Sequence, residues 1–279
     1  TQLYSANDGI DLTYQWTWNG EPIDGATSIS YEAGESGAYA VIVTNSSNCT
    51  ASSSVSNLTV NALPEAAITP DGSTEFCDGG NVMLNASSGD NNVYVWFMND
   101  EEIAGATSDS YSATTSGTYY VVITDGNGCK NASGEVAVTV NENPVASIDP
   151  AEDVSFCEGG SQVYSANSGN GLTYQWTWNG EPIDNATGMT YEATATGTYA
   201  VIVTNSSGCS TTSSASSLTV NANPEANIDP NGSTTLCAGE SVELNANTGN
   251  ELSYQWQMNG EDINGATGDA YAASEAGSY

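Results

Sequence analysis

Tyr14-Gln15-Trp16-Thr17-Trp18-Asn19-Gly20 is a segment that recurs along the chain at a constant interval. Variants of it occupy 94–100, 174–180 and 254–260, so that tryptophans fall at positions 16, 96, 176 and 256, a step of 80 residues. Cysteines at 49, 129 and 209, and at 77, 157 and 237, keep the same step. A fixed period of this kind predicts one structural unit used in tandem.

The period divides the 279 residues into four repeats. We expect 1–61 to lack its first strand, 62–141 and 142–221 to be complete, and 222–279 to lack its last strands. Thr1 is equivalent to Ser161, and Tyr279 to Tyr199 in mid-strand, so we expect a window of a longer array. Prolines 64, 144 and 224 stand in short joints between repeats, and proline stiffens such joints. The sequence therefore predicts an extended, rigid array whose units contact only their neighbours.

Composition excludes several classes of function. The chain has 34 acidic residues, one basic residue and no histidine, for a net charge of −33. This charge repels nucleic acid and anionic membranes, and no apolar run is long enough for membrane insertion. Without histidine, neither a Ser-His-Asp triad nor an imidazole metal site can form. We expect no enzyme and no cofactor, and two cysteines per repeat favour an extracellular or cell-surface location.

The complete repeat 62–141 reads as a series of short strands with turn signals every eight to twelve residues and no helical period. Such a pattern is typical of an immunoglobulin-like β-sandwich, so the predicted fold is an all-β tandem array of these domains, with 80 residues each. The predicted strands are 65–69, 74–77 at a sheet edge, 82–86, 93–99, 103–107, 110–114, 117–124 and 135–141.

Two aromatic series define the predicted core. The tryptophans on the third strand would fill the space between the sheets, and Gly-x-Tyr motifs resemble the tyrosine corner of this fold. Val121 stands where antibody domains carry their second core cysteine, so the usual disulfide between the sheets is missing. The predicted core residues are Trp16, Trp96, Trp176, Trp256, Tyr39, Tyr119 and Tyr199.

The second repeat differs from the first and third in what it places on the outer face of the tryptophan strand. By strand alternation, Val95 and Phe97 point away from Trp96, whereas the first and third repeats have Gln and Thr there. Exposed apolar pairs mark contact sites, so Val95 and Phe97 are interface candidates for association with copies of the chain in a homo-oligomeric filament or bundle. The alternative is that a loop covers them.

The cysteines pose a geometric problem. Cys77 precedes the second strand and Cys129 follows the sixth, and these strands run parallel in an immunoglobulin topology, so the two residues lie at opposite ends of one sandwich. A seven-residue strand spans about 23 Å, too far for a disulfide. We therefore predict a bond between repeats, Cys77 to Cys209. The alternatives are bonds within repeats, Cys77–Cys129 and Cys157–Cys209, and free or between-chain thiols.

Two further kinds of site have weaker sequence support. Acidic residues near the joints could hold calcium, which prefers several oxygen ligands at one point, but a solvated acidic surface suited to salty water is the favoured explanation. Trp18 and Trp178 could bind carbohydrate, but alternation places them on the same face as the core tryptophans. The calcium candidates are Glu142, Asp149, Asp153 and Asp229.

Several motifs resemble the immunoglobulin-like and PKD-like repeats of giant surface proteins that gliding bacteria export by type IX secretion. They are Phe-Cys-x-Gly-Gly at 76–80 and 156–160, Asn-Gly-Glu-x-Ile-x-Gly-Ala-Thr at 19–27, Gly-Thr-Tyr at 117–119, and Asn-x-x-Gly-Cys at 205–209. The resemblance implies a structural or adhesive extracellular filament for attachment to surfaces or to prey cells, as in grappling-hook filaments. The alternative is a passive stalk presenting an enzyme or binding domain encoded elsewhere.

Overall fold

A computed structural model describes residues 1–279, which form strands, turns and connecting segments. The chain divides into two compact parts, Thr1–Glu142 and Asn143–Tyr279. The division after Glu142 lies one residue beyond the predicted boundary between 62–141 and 142–221. The finer division into four repeats stays a prediction.

The first part contains strands of two to eight residues, and the longest are the tyrosine-corner strands. They are β1 (Gln2–Ser5), β2 (Thr13–Trp18), β3 (Glu21–Pro22), β4 (Ser30–Ala33), β5 (Gly37–Thr44), β6 (Thr50–Ser52), β7 (Ser56–Leu58), β8 (Ile68–Pro70), β9 (Glu75–Cys77), β10 (Val82–Ala86), β11 (Val93–Met98), β12 (Glu101–Glu102), β13 (Ser110–Ala113), β14 (Gly117–Thr124), β15 (Lys130–Ala132) and β16 (Val136–Asn141).

The second part also contains strands of two to eight residues. Its strands are β17 (Ile148–Asp149), β18 (Val154–Cys157), β19 (Gln162–Ala166), β20 (Thr173–Trp178), β21 (Glu181–Pro182), β22 (Thr190–Ala193), β23 (Gly197–Thr204), β24 (Ser210–Thr212), β25 (Ser216–Asn221), β26 (Ile228–Asn231), β27 (Val242–Ala246), β28 (Gln257–Met258), β29 (Glu261–Asp262) and β30 (Ala270–Ala273).

Each complete repeat is a sandwich of two sheets. In 62–141 one sheet has the order β13-β10-β8, and the other has the order β12-β11-β14-β16-β9, with β15 also paired to β14. The chain enters through β8 in one sheet and continues through β9 in the other, where β9 runs parallel to β16. Residues 142–221 have the same arrangement, including the parallel pair β18–β25. The predicted all-β fold of tandem immunoglobulin-like sandwiches is confirmed.

The core forms where alternating residues of the two sheets meet. Trp96 on β11, Leu84 on β10, and Tyr119 and Val121 on β14 are each 0% exposed. Trp96 is the cross-strand partner of Val121, so the indole fills the space beside the position that a core cysteine takes in antibody domains. Hydrophobic burial therefore holds the sheets together here without a disulfide between them.

Three details of the strand prediction were wrong. Residues 103–107 form a turn, because the Ile103 amide donates to the Trp96 carbonyl (2.9 Å) and Gly105 has a φ of +79°. The strand at that place is the shorter β12, just before the turn. The first strand is confined to β8, and β15 was missed because the three residues Lys-Asn-Ala show no apolar alternation and give no strand signal.

Candidate functional site

The four tryptophans of the repeat share one environment. Their exposures are 4% for Trp16, 0% for Trp96, 0% for Trp176 and 5% for Trp256. Each indole Nε1 donates a hydrogen bond of 2.9–3.0 Å to the backbone carbonyl twelve residues later. A buried indole needs such an acceptor, so the hydrogen bond fixes the ring orientation in every repeat.

The tyrosine corners are formed as the Gly-x-Tyr motifs predict. Tyr119 and Tyr199 donate hydrogen bonds of 2.9 and 2.8 Å to the carbonyls of Thr115 and Ala195, four residues upstream. Tyr39 makes the same bond of 2.9 Å to Glu35. Burial raises the pKa of the Tyr199 hydroxyl, which therefore stays protonated and able to donate at physiological pH.

We expect Tyr199→Phe to lower the free energy of unfolding by about 1 kcal/mol, because it removes one buried hydrogen bond and keeps the ring. Denaturant titration followed by circular dichroism measures the loss. Tyr191→Phe is the matched control, since it keeps the ring contacts to Trp176 and Tyr199 at 6.0 and 5.9 Å between centroids. Equal losses in the two variants would show that the corner hydrogen bond contributes nothing.

The six cysteines are in two chemical states. Cys77 and Cys209 are disulfide-bonded. Cys49, Cys129, Cys157 and Cys237 are free thiols. Bonds within repeats would require Cys129 and Cys157, so this state of the thiols disagrees with that alternative. The pairing of Cys77 with Cys209 stays a prediction.

Non-reducing peptide mapping tests that pairing directly. We expect one linked species that joins the peptide of Cys77 to the peptide of Cys209, together with four thiols that an alkylating reagent labels before reduction. A linked species that contains Cys129 or Cys157 would contradict the prediction. Because structural disulfides persist in oxidising compartments, the mapping is done on protein secreted into an oxidising medium.

The turn between β14 and β15 is closed by a carboxylate. Asp125 Oδ1 accepts hydrogen bonds of 2.9 Å from the amides of both Asn127 and Cys129. The Cys129 amide is the main cause of a lowered pKa for the Asp125 carboxyl. In the first and third repeats Asn45 and Asn205 close the same turn, with amide-to-oxygen distances of 3.0 Å.

We expect Asp125 to make the second repeat sensitive to acid. A lowered pKa in the folded state gives stabilisation above the ordinary value of 3.8 that is lost as pH falls through the folded value. Asp125→Asn copies the first and third repeats and removes this dependence. Urea midpoints at pH 7 and pH 3 measure it, and the midpoint of the variant should fall less than that of the unaltered chain. Equal falls would contradict the assignment.

The acidic residues proposed for calcium are not brought together. No group of three or more histidine, cysteine, aspartate or glutamate side chains in residues 1–279 is placed to hold a metal ion. Asp153 instead accepts a hydrogen bond of 3.3 Å from the Ser217 amide. Glu142, Asp149 and Asp229 are therefore not part of a cluster of three or more such side chains, and calcium binding at these residues stays a prediction.

The outer face of β11 in the second repeat carries an aromatic pair. Phe97 stacks on Tyr120 with 4.7 Å between ring centroids and 1° between planes. Val95 and Val122 are cross-strand partners beside them, and all four side chains are partly exposed. We call these four residues the apolar face. Strand alternation predicted that Val95 and Phe97 face outward. Their β14 partners were not predicted, although alternation on either side of Val121 would have indicated them.

In the first and third repeats the same face has Gln and Thr on the tryptophan strand, opposite Ile and Ala on the neighbouring strand. Gln175 Nε2 donates to the carbonyls of Trp176 and Ile183 at 3.0 and 2.8 Å. Thr177 is 5% exposed, and its hydroxyl donates to the Ala200 carbonyl at 3.2 Å. Gln15 and Thr17 make the equivalent bonds. In the odd repeats the Gln and Thr side chains on this face are therefore hydrogen-bonded to the backbone of the same repeat. In the second repeat the rings of Phe97 and Tyr120 are partly exposed.

Trp18 and Trp178 lie on the face that alternation predicted, but their rings are only partly covered there. They lie at the ends of β2 and β20, where they are 38% and 42% exposed. Their indole Nε1 atoms donate to the carbonyls of Ser36 (3.2 Å) and Thr196 (3.3 Å). They share a face with Trp16 and Trp176, but only part of each ring is covered.

Comparisons with known proteins agree with this architecture. Residues 64–144 match the family model described as an Ig-like domain, CHU_C associated. The chain is 26% identical over 231 residues to the highly immunogenic outer capsid protein of Enterobacteria phage T4, covering 70% of this chain and 60% of that protein. The chain thus spans less than two thirds of the length of this relative. No helix in the structure has the length and apolar character needed to cross a membrane.

Solved structures of similar architecture are multidomain fragments. Titin domains I67–I69, an E-to-A mutated variant, have a TM-score of 0.42 and 12% identity and cover 78% of this chain and 91% of theirs. The three N-terminal domains of the bacteriophage RB49 outer capsid protein Hoc have a TM-score of 0.33 and 16% identity, covering 77% and 91%. On its own sheet topology and its matched segment, the chain is a tandem array of immunoglobulin-like domains.

Proposed function

We propose that this chain belongs to an extracellular structural and adhesive filament that associates laterally with copies of itself. The observation that carries the proposal is the apolar face of the second repeat. An aromatic stack flanked by two valines lies on the outside of a sheet, where the first and third repeats have Gln, Thr, Ala and Ile and no aromatic ring. Surface ring area of this kind is stabilised when a partner covers it.

Several further observations support a structural role. One core, one tyrosine corner and one strand order recur at a step of 80 residues, as in array proteins whose stability is built from neighbouring units. Joint residues are tied to the adjoining sandwich, since Asn131 Nδ2 donates to the Pro64 carbonyl at 2.9 Å and Asn223 Nδ2 to the Glu158 carbonyl at 3.1 Å. Such bonds favour stiff joints.

The cellular setting is part of the proposal. A disulfide-bonded chain and similarity to a phage outer capsid protein support an extracellular or cell-surface location. The motifs shared with type IX-secreted surface proteins support an origin among gliding bacteria. A chain without histidine supports a non-catalytic role, in which any enzyme or lectin activity belongs to other domains.

Net charge decides when lateral association occurs. Each copy carries a charge of −33, so copies repel one another at low ionic strength. Added salt shortens the Debye length from about 30 Å at 0.01 M to about 3 Å at 1 M, which leaves the apolar contact to act. We therefore propose that the filament associates in salty surroundings and separates when salt is removed.

Sedimentation velocity of the full chain at low and high salt tests this proposal. We expect a monomer at about 0.01 M salt and larger species at about 1 M. The variant V95Q/F97T/Y120A places the residues of the third repeat on the second, and it should stay monomeric. The reverse variant, Q175V/T177F/A200Y, gives the third repeat the same apolar face and should strengthen association. Association that ignores both variants would overturn the assignment of this face.

A passive stalk is the second candidate function. The difference between the repeats on the outer face of the tryptophan strand helps to distinguish a stalk from a filament. A stalk needs spacing and solubility only, so its repeats could all carry the same face as the third repeat. Monomeric behaviour at every salt concentration would favour the stalk.

A further inference from the structure

Trp18 and Trp178 are rigidly held although their rings are partly exposed. The hydrogen bonds to Ser36 and Thr196 fix the indole nitrogens. The pyrrole part of each ring lies against a glycine, because an added Cβ on Gly37 or Gly197 would stand 2.0 Å from Nε1. A ring held at two points loses no further rotamer freedom when a ligand covers it, which favours binding.

Packing alone does not require tryptophan at this position. In the second and fourth repeats Met98 and Met258 take the same place, against Gly117 and Gly277. Trp178 is 42% exposed and Trp18 is 38% exposed. Each ring stays partly exposed even though the repeat that follows it, 222–279 or 62–141, belongs to the same compact part of the chain. The odd repeats thus present ring surface beyond what closing the sandwich needs.

A carboxylate stands beside each ring. Trp178 and Glu181 are cross-strand partners, as are Trp18 and Glu21, so each pair projects from one face of its hairpin. Directly opposed residues have Cβ atoms about 4.5–5.5 Å apart. Both glutamates are exposed. Lys130 in the second repeat is the sole basic residue, so the chain has almost no cation of its own to offer.

We infer that the Trp18–Glu21 and Trp178–Glu181 pairs bind the cationic groups, ammonium or guanidinium, of a positively charged partner surface. Tryptophan is the strongest aromatic partner for a cation, and an adjacent carboxylate adds ionic attraction to the same group. The charge of −33 steers such a partner toward the chain. Two sites in one chain allow bivalent attachment. The inference goes beyond the filament proposal, because it involves a different face and a different partner.

Nuclear magnetic resonance of the full chain at low salt tests the site while the protein is monomeric. The probe is n-butylammonium, with neutral n-butanol as its control, and the observed signals are the six indole N–H resonances. We expect butylammonium to shift the Trp18 and Trp178 signals with saturation and to leave Trp16 and Trp176 unchanged. Trp178→Met and Trp18→Met assign the signals and should fold, because the even repeats carry methionine there.

A pair of charge-matched variants distinguishes the effect of the carboxylate beside Trp178 from the effect of the overall negative charge of the chain. Glu181→Gln should weaken binding at Trp178 by about two- to fivefold, the range of one exposed ionic or cation–aromatic contact. Glu101→Gln removes the same charge beside Met98 and should leave the Trp178 affinity unchanged. Equal effects of the two variants would overturn the inference, as would the absence of saturable shifts.

Cellohexaose is the competing probe. Binding of a neutral oligosaccharide to these rings, with an affinity that does not fall with added salt, would overturn the cationic assignment in favour of carbohydrate. Sedimentation of the same samples keeps this test separate from self-association. If the chain stays monomeric and binds butylammonium, the binding site is supported even though the filament proposal fails. If the chain associates but the indole signals do not shift, the binding site is refuted and the filament proposal is unaffected.

Discussion

Trp176→Ala is expected to lower the free energy of unfolding of the third repeat by about 3–5 kcal/mol. The indole is 0% exposed, contacts Tyr164 and Tyr191 at 6.3 and 6.0 Å between centroids, and donates to the Gly188 carbonyl. Its removal leaves a cavity between the sheets and an unpaired carbonyl. Domains are stable by only about 5–15 kcal/mol, so the variant repeat should unfold far more readily than the unaltered one.

Hydrogen-exchange mass spectrometry localises this effect, which a single melting curve of a multidomain chain cannot do. Protection should collapse in 142–221 and persist in 62–141. Trp178→Met is the matched control, because it changes a tryptophan two residues away to the residue found in the even repeats, and it should cost less than about 1.5 kcal/mol. Similar losses in the two variants would contradict the assignment of Trp176 as the core residue.

Gly37→Ala is expected to destabilise the first repeat by about 1–3 kcal/mol through a clash rather than a cavity. The new Cβ would stand 2.0 Å from Trp18 Nε1 and 2.5 Å from Cδ1, so the ring must leave its place and its hydrogen bond to Ser36. Gly117→Ala in the second repeat meets Met98 Cγ at 3.0 Å. Methionine can adjust its side-chain torsions, so this control should cost less than Gly37→Ala.

A second substitution tests the cause of the clash. Trp18→Met in the Gly37→Ala background recreates the combination of the second repeat and should recover most of the lost stability. The free energies of unfolding of the two single variants and the double variant form a thermodynamic cycle, and residues in contact should be non-additive by about 0.5–3 kcal/mol. Additive losses would show that the indole is not what excludes a side chain at Gly37.

The fold could be predicted from the periodicity because the same core and turn residues recur at equivalent positions in every repeat. Trp96 and Tyr119 could be placed in the core from their spacing, and the edge strand 74–77 from its turn residues. The turn at 103–107 could not, since Ile103 and Ala106 are apolar in a short run that also suits a strand. Hydrogen bonds across the chain, invisible to local pattern, decide between the two.

The candidate surfaces were less accessible to sequence reasoning. Alternation indicated that Val95 and Phe97 face outward, but the stacking of Phe97 on Tyr120 depends on strand register. Alternation placed Trp18 and Trp178 on the core face but did not indicate their exposure, because a residue at the end of a strand can share that face and still be only partly covered. The exposure of these two rings depends on where the sandwich ends, and the local sequence pattern does not indicate that position.

Electron microscopy of the full chain in high-salt buffer tests the central claim, that this is a laterally associating structural array. We expect bundles of several aligned chains at about 1 M salt, their dispersal at about 0.01 M, and no bundles for V95Q/F97T/Y120A at either concentration. Single chains at both concentrations, or bundles that form equally well with the triple variant, would contradict it.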